Sequence, residues 1–258
     1  MALHAEKSLG EYIMRTCHTP GEFRQVVALQ KEVWGFEDIE LLPVRLFIVG
    51  EKIGGHVLCA YDGSTLVGFL FGLPGIRDGH AYIHSHMLGV KEAYRDKGIG
   101  RELKLFQREL CIGQGFDLIE WTFDPLEIKN AFFNMERLGA VARRYLVNHY
   151  GILSSTLQGG LPSDRLVAEW WLRSPRVEET LKHGKRPETA VIEKVEIPGE
   201  VYEWKGQESM RARAAEVQTR TRNLLQKFLA EGLTIIGYER EANGDGRFLL
   251  GQWNEASW

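Results

Sequence analysis

Cysteine is sparse in this chain of 258 residues: Cys17, Cys59 and Cys111 are odd in number, widely separated and never in a Cys-x-x-Cys pair. That spacing supports neither a disulfide framework nor a zinc site, and buried free thiols are the expectation. No stretch approaches the roughly 18 uninterrupted apolar residues of a membrane span, and residues 1–12 carry charges without the apolar run of a secretory leader. No charge of one sign dominates: 32 Lys and Arg stand against 35 Asp and Glu, a formal net charge of -3. A nucleic-acid binder would show a basic excess. Apart from His84 and His86, the histidines His4, His18, His56, His80, His149 and His183 show no metal spacing on a common helix. These absences imply a cytoplasmic protein with no metal, no nucleic-acid partner and no membrane partner. There is no internal repeat.

What the chain does contain is ample core material, 44% hydrophobic and 10% aromatic residues. Residues 22–33 place Phe23, Val26, Val27, Gln30 and Val33 at helical spacing, with Gly35 as a stop signal. Residues 42–53 read as a second helix begun by Pro43. The period then changes. Residues 56–61 and 65–73 read as strands about Asp62-Gly63, a pair suited to the positive φ angles of a hairpin turn, and 81–90 is the next strand. Ile99, Leu103, Phe106 and Leu110 recur at steps of three and four, a helix that buries one face and stops at Gly113 and Gly115.

Residues 117–123 form another apolar strand. Asp124-Pro125-Leu126-Glu127 reads as a capping box with proline at the first helical position, for a helix from there, or from Asn130, to Leu138 before Gly139. Residues 143–150 and 165–172 read as strands. Beyond them lie a strand over 190–197, a helix over 207–231 and a hairpin of 234–239 with 246–253, turned by Asn243-Gly244-Asp245-Gly246. On the long helix Ala214, Val217, Thr221, Leu224, Leu225 and Phe228 make a narrow apolar stripe. Arg211, Arg213, Arg220, Arg222 and Lys227 occupy other faces, either as a solvated surface or as a grip for an acidic partner.

The most informative stretch is Leu88-Gly89-Val90-Lys91-Glu92-Ala93-Tyr94-Arg95-Asp96-Lys97-Gly98-Ile99-Gly100, which joins an apolar strand to an amphipathic helix through a short loop. The first-turn N–H groups of a helix have no intrahelical partner and lie at the positive end of the peptide dipoles, so an anion fits there. Gly98 and Gly100 let diphosphate oxygens approach the backbone, and Arg95 and Lys97 add charge. Two better-known phosphate loops fail on spacing. A dinucleotide fingerprint needs glycine where Leu103 stands, and a P-loop needs Gly-Lys-Ser/Thr, whereas Lys97 precedes its glycine.

The run from Arg95 to Gly100, with Tyr94 before it and the Leu-x-Val of Leu88 and Val90, resembles the Arg/Gln-x-x-Gly-x-Gly/Ala signature of the GNAT superfamily of N-acetyltransferases. The order of elements over about residues 13–173 resembles that superfamily as well. The resemblance implies an α/β (α+β) fold, a mixed, mostly antiparallel central sheet flanked by helices. This domain occupies residues 1–175, and a C-terminal α+β extension follows over 176–258. It implies that Arg95, Asp96, Lys97, Gly98, Ile99, Gly100 and Arg101 bind the pyrophosphate of acetyl-CoA. The backbone of Leu88, Gly89 and Val90 then holds the pantetheine amides, one N–H polarising the thioester carbonyl. Asn130 lies where family members bond the pantetheine arm, helix capping being its other reading, and Asn134 has the same standing.

Acyl transfer from a thioester needs little covalent help, because the thiolate leaves readily. The obstacle is the amine, protonated at neutral pH, and a general base with pKa near 7 removes it. His84 and His86 stand two apart on the strand that leads into the loop, on one face, about 7 Å apart. Their offsets before Arg95, eleven and nine residues, are similar to those of the paired histidines in the aralkylamine N-acetyltransferases, which remove the amine's proton through water. Half-buried histidines satisfied by hydrogen bonds are the other reading. Ser85 between them faces the opposite side of the sheet, toward core or helix.

The tyrosine that many superfamily members place four residues before the glycine ending the next helix is absent: counting back from Gly139 gives Met135. The acid is therefore left to Tyr145, Tyr150 or solvent. Glu120 and Asp124 either orient water or amine or sit at the edge of the core. The implied reaction moves an acetyl group, or with succinyl-CoA a succinyl group held by Arg143, Arg144 or Arg165, to a primary amine of a small molecule or amino acid. The other class is a non-catalytic CoA-sensing module on the same scaffold. The extension shapes the substrate site or a homodimer contact.

Overall fold

The hairpin about Asp62-Gly63 becomes the centre of a five-stranded antiparallel sheet in the computed structural model, which describes residues 5–152 and 158–254. His4 lies outside the described residues. The chain divides into two units, Met1–Ile119 and Glu120–Trp258. In the first, β1 (Glu6–Leu9), β2 (Tyr12–Thr16), β3 (His56–Asp62), β4 (Thr65–Arg77) and β5 (His80–Val90) lie side by side in chain order, each antiparallel to the next. The β1–β2 hairpin is absent from the sequence reading. Its strands are short, and only Tyr12, Met14 and Thr16 on one face of β2 are buried, too little alternation to register.

Helices cover both faces of this sheet. Helix α1 (Pro20–Trp34) begins ahead of the predicted position, because Thr19 caps it and Glu22 closes a capping box. Burial opposes ionisation of Glu22, but hydrogen bonds from the backbone of His18 and Thr19 and from Arg15 hold its carboxyl at about 2. Phe23, Val26 and Leu29 of α1 and Phe47 of α2 (Val44–Lys52) pack with Val57, Cys59, Phe69 and Phe71. On the other face, Ile99, Leu103 and Phe106 of α3 (Ile99–Gly113) pack with Tyr12, Met14, Leu58, Ala60, Val67 and Leu70. At roughly 1.5–3 kcal/mol for each large apolar side chain, these three fix α3 and so the position of its first turn.

The pairing of β4 with β5 is interrupted once. Phe71 of β4 pairs with Met87 of β5, and Gly72 pairs with Ser85, which leaves His86 as an extra residue in a β-bulge.

The second unit holds most of β6 (Leu118–Phe123), α4 (Ile128–Phe132) continued by a π turn over Phe133–Arg137, β7 (Val141–Leu146), β8 (Arg165–Trp171) and α5 (Pro175–His183). It continues with β9 (Glu193–Ile197), α6 (Val201–Gly206), α7 (Arg211–Ala230), β10 (Thr234–Arg240) and β11 (Gly246–Gly251). Its strands run in the order β6-β8-β7-β10-β11-β9. The β7–β8, β7–β10, β10–β11 and β9–β11 pairs are antiparallel.

The structure corrects several expectations. Asp124 starts no helix: one carboxylate oxygen accepts from the Leu126 N–H at 2.8 Å and the other from Lys205 Nζ at 2.9 Å, so residues 125–126 form a turn. The next strand ends at Leu146 rather than at 150, where Asn148 adopts φ +46 and residues 147–150 turn. On α7 Gln218 is buried in place of Leu224, its amide donating to the Pro162 carbonyl at 2.8 Å. Helix α5, capped by Ser174 before Pro175, and helix α6 have no counterpart in the sequence reading, although Ser-Pro is a start signal. No helix among the described residues is long and apolar enough to cross a membrane.

Candidate functional site

The loop predicted to grip a diphosphate has the required backbone. Gly98 is the N-cap of α3 in the left-handed conformation, φ 82 and ψ -7, and no side chain caps the helix. The first helical bond runs from the Glu102 N–H to the Gly98 carbonyl at 3.0 Å, so the amides of Ile99, Gly100 and Arg101 lie ahead of the intrahelical ladder. A Cβ on Gly98 would meet no atom within 4 Å, and the exposed Arg95, Asp96 and Lys97 precede it. This is an open, electropositive cradle, and the residues fit an anionic diphosphate.

Its shape is held from below. The Tyr94 hydroxyl donates to Asp62 Oδ2 at 2.9 Å, Lys97 Nζ lies 4.8 Å from the centre of the Tyr94 ring, and Arg95 Nε donates to the Val90 carbonyl at 3.3 Å. Asp96 is left-handed at φ 61, a conformation that Asp tolerates. Ile99 contributes only backbone, since its side chain is in the core, and Arg101 is bonded to Glu102 at 3.0 Å. Leu88 and Val90 pack toward α3. Gly89 lies so close to α1 that a Cβ there would come within 2.8 Å of the Trp34 ring.

The imidazoles of His84 and His86 lie with ring centroids 5.8 Å apart and planes tilted by 42°. His86 stands edge-on to Phe71 at 6.3 Å. Burial pushes its pKa below the ordinary 6.5. Ser85 points the other way, where Lys104 Nζ donates to its hydroxyl at 2.8 Å. Loop and histidine pair therefore belong to one strand-loop-helix segment of the first unit.

In the second unit Met135 is fully buried inside the π turn, so no phenol stands at that position. The Tyr145 hydroxyl donates to Asp164 at 2.7 Å, and burial with that bond pushes its pKa up. Asp164 in turn receives both Nε and Nη2 of Arg222, at 2.7 and 3.0 Å, which makes one of the α7 arginines an internal tie rather than a solvated or partner-binding group. The half-exposed Tyr150 shares a 3.0 Å hydrogen bond with Thr122 of β6.

Asn130 is exposed on α4 and does not cap it, since Glu127 holds that place. Asn134 is buried, its Oδ1 accepting from Trp121 Nε1 at 3.3 Å. Arg143 is bonded to Glu169, and Arg144 to Glu120 at 2.5 Å, both carboxylates being buried. These pairs correct two readings at once: Glu120 is a salt-bridge partner, and Arg143 and Arg144 have their charges met. Arg165 donates to the Asp164 carbonyl and to Gln158.

The first unit is thus an antiparallel sheet flanked by helices, whose last strand leads through a short loop into an uncapped, glycine-led helix. Residues 23–139 match the model of the acetyltransferase (GNAT) family, so the chain carries a GNAT acetyltransferase domain. Among solved structures it is similar to a protein from Desulfovibrio desulfuricans assigned to the GNAT family, at 14% identity and TM-score 0.50, covering 62% of this chain and 99% of that one. It is similar too to smu.2055 from Streptococcus mutans, at 19% identity and TM-score 0.51, over 62% of this chain and 99% of that one. These likenesses establish the fold. No curated protein matches the sequence. The GNAT fold uses acetyl-CoA.

Proposed function

We infer that this protein transfers an acetyl group from acetyl-CoA to a primary amine of a small molecule or amino acid, with the start of α3 holding the diphosphate and His84 with His86 acting as the base. One observation carries the reading. A left-handed glycine opens an uncapped helix twelve residues after His86, on the same strand-loop-helix segment as a half-buried imidazole pair. Acetyl-CoA would supply an activated acyl group, and the backbone of residues 88–90 would hold its pantetheine amides.

The amine's proton passes to an imidazole, directly or through water. The amine nitrogen then bonds the carbonyl carbon to give a tetrahedral intermediate, and as the carbon–sulfur bond breaks the electron pair leaves with the thiolate while the nitrogen gives its second proton to the other imidazole or to water. A backbone N–H among residues 88–90 stabilises the intermediate oxyanion. The thiolate departs without a protein acid, in keeping with Met135. Acetyl is favoured over succinyl, because Arg143 and Arg144 already face carboxylates. Buried free thiols support a cytoplasmic setting.

The test is release of coenzyme A thiol from acetyl-CoA and succinyl-CoA with a panel of amines and amino acids. Amine-dependent release from acetyl-CoA is expected. Tight coenzyme A binding without release from either donor overturns catalysis and leaves a CoA-sensing module.

A further inference from the structure

A row of polar side chains lies beneath β5, on its α3 side. His56, Gly72 and Ser85 are cross-strand neighbours on β3, β4 and β5. From α3, Gln107 Nε2 lies 2.9 Å from His56 Nε2, and Lys104 Nζ donates to Ser85 Oγ at 2.8 Å. All four side chains are buried, Lys104 to 4% exposure. Gly72 makes the room, since a Cβ there would stand 2.6 Å from His56 Nε2 and 2.8 Å from Gln107 Nε2. Burial pushes Lys104 well below the ordinary lysine range and His56 down to about 4, and it pushes the neighbouring Cys111 thiol up to about 12. A methionine would fill the volume of Lys104 without the desolvation cost. The lysine donates to Ser85, a bond that methionine cannot make.

Ser85 sits at the edge of the bulge, between the two histidines. The extra residue resets the alternation of β5. Ser85, Leu88 and Val90 face α3, while Met87 packs in the α1–α2 cluster, His86 lies against Phe71 of that cluster and His84 is paired with Leu73. A regular strand would carry Met87 to the α3 side and reverse every residue after it. The hydroxyl of Ser85 is the point at which the neighbouring helix takes hold of this irregular stretch.

We propose that Lys104 is a positioning residue: from the α3 side it holds Ser85, and with it the bulge at His86, so that the His84 and His86 imidazoles stay together on the opposite face. The catalytic meaning rests on the histidine pair being the base. The placement itself does not.

The experiment pairs Lys104→Met with Ser85→Ala and the double variant, reading NMR titration of the two imidazoles alongside amine-dependent thiol release. Each single variant is expected to shift at least one imidazole pKa by about half a unit or more and to lower kcat about tenfold to a hundredfold, with the KM for acetyl-CoA unchanged. The double variant is expected to lose no more than the worse single one, because both remove the same contact. Unmoved imidazole titrations in a folded Ser85→Ala overturn the proposal, as do losses that multiply in the double variant. Should Lys104→Met not fold, Ser85→Ala alone decides. A wild-type protein without turnover overturns the acetyltransferase reading, and the titrations still decide the placement.

Discussion

Replacing Gly98 isolates the contribution of one backbone conformation to coenzyme A binding. At φ 82 a residue with a Cβ is strained, yet that Cβ would touch nothing within 4 Å. The cost is therefore conformational and not a clash. Left-handed backbone costs an L-residue about 1–2 kcal/mol, and if the unliganded loop relaxes to avoid it, binding must restore it. Gly98→Ala is thus expected to weaken coenzyme A binding about 5- to 30-fold, with Gly98→Val weaker still and Gly98→Asn, which tolerates this region, the mildest. Gly100 serves as the control. It has no left-handed φ, and a Cβ there would make ordinary contacts with Leu88 and Val90 at 3.5 and 3.9 Å. Gly100→Ala should leave thermal stability equal or higher, so any loss of affinity there arises on the ligand side. Isothermal titration with coenzyme A, with melting curves for each variant, reads both quantities. Gly98→Val binding coenzyme A as tightly as the wild type would show that the left-handed turn takes no part in the site.

Two further outcomes follow from the same geometry. His84→Ala is expected to lower kcat about a hundredfold while sparing coenzyme A affinity, with the loss greatest below about pH 8, where amines hold their proton. A rate unchanged at every pH removes His84 from the mechanism. For His56, burial and the nearby charge of Lys104 lower the pKa from 6.5 to about 4. Between those values the unfolded chain binds a proton that the folded protein refuses. Stability therefore falls as the pH drops through this window, by about 3 kcal/mol in all. Urea unfolding at pH 7 and about pH 4.5 should show His56→Gln losing less than the wild type, and equal losses would rule the assignment out.

The parts legible in the sequence are those set by local rules. Ile99, Leu103 and Phe106 announce α3 by spacing and are all in the core, Gly63 takes the positive φ of its hairpin turn, and the loop before α3 has the backbone its glycines indicate. What the sequence hides depends on partners far along the chain. Asp124 looks like a helix cap until Lys205 claims its second oxygen, 81 residues away. Arg143 and Arg144 look available until Glu169 and Glu120 meet them from other strands. The bulge at His86 has no marker in its own residues, because it is a property of pairing with β4. Lys104 did leave a trace: with Gln107 and Cys111 it recurs at steps of three and four beside the apolar stripe, the spacing of a buried face.

Both the proposed activity and the role of the histidine pair require the amides at the start of α3 to receive the diphosphate. Titrating isotope-labelled protein with coenzyme A while following the backbone amides of residues 97–101 puts that contact to the test. Large, saturable shifts centred on Gly98 and Gly100 are predicted. Saturable binding that leaves those amides unmoved and perturbs another part of the protein would place the diphosphate elsewhere.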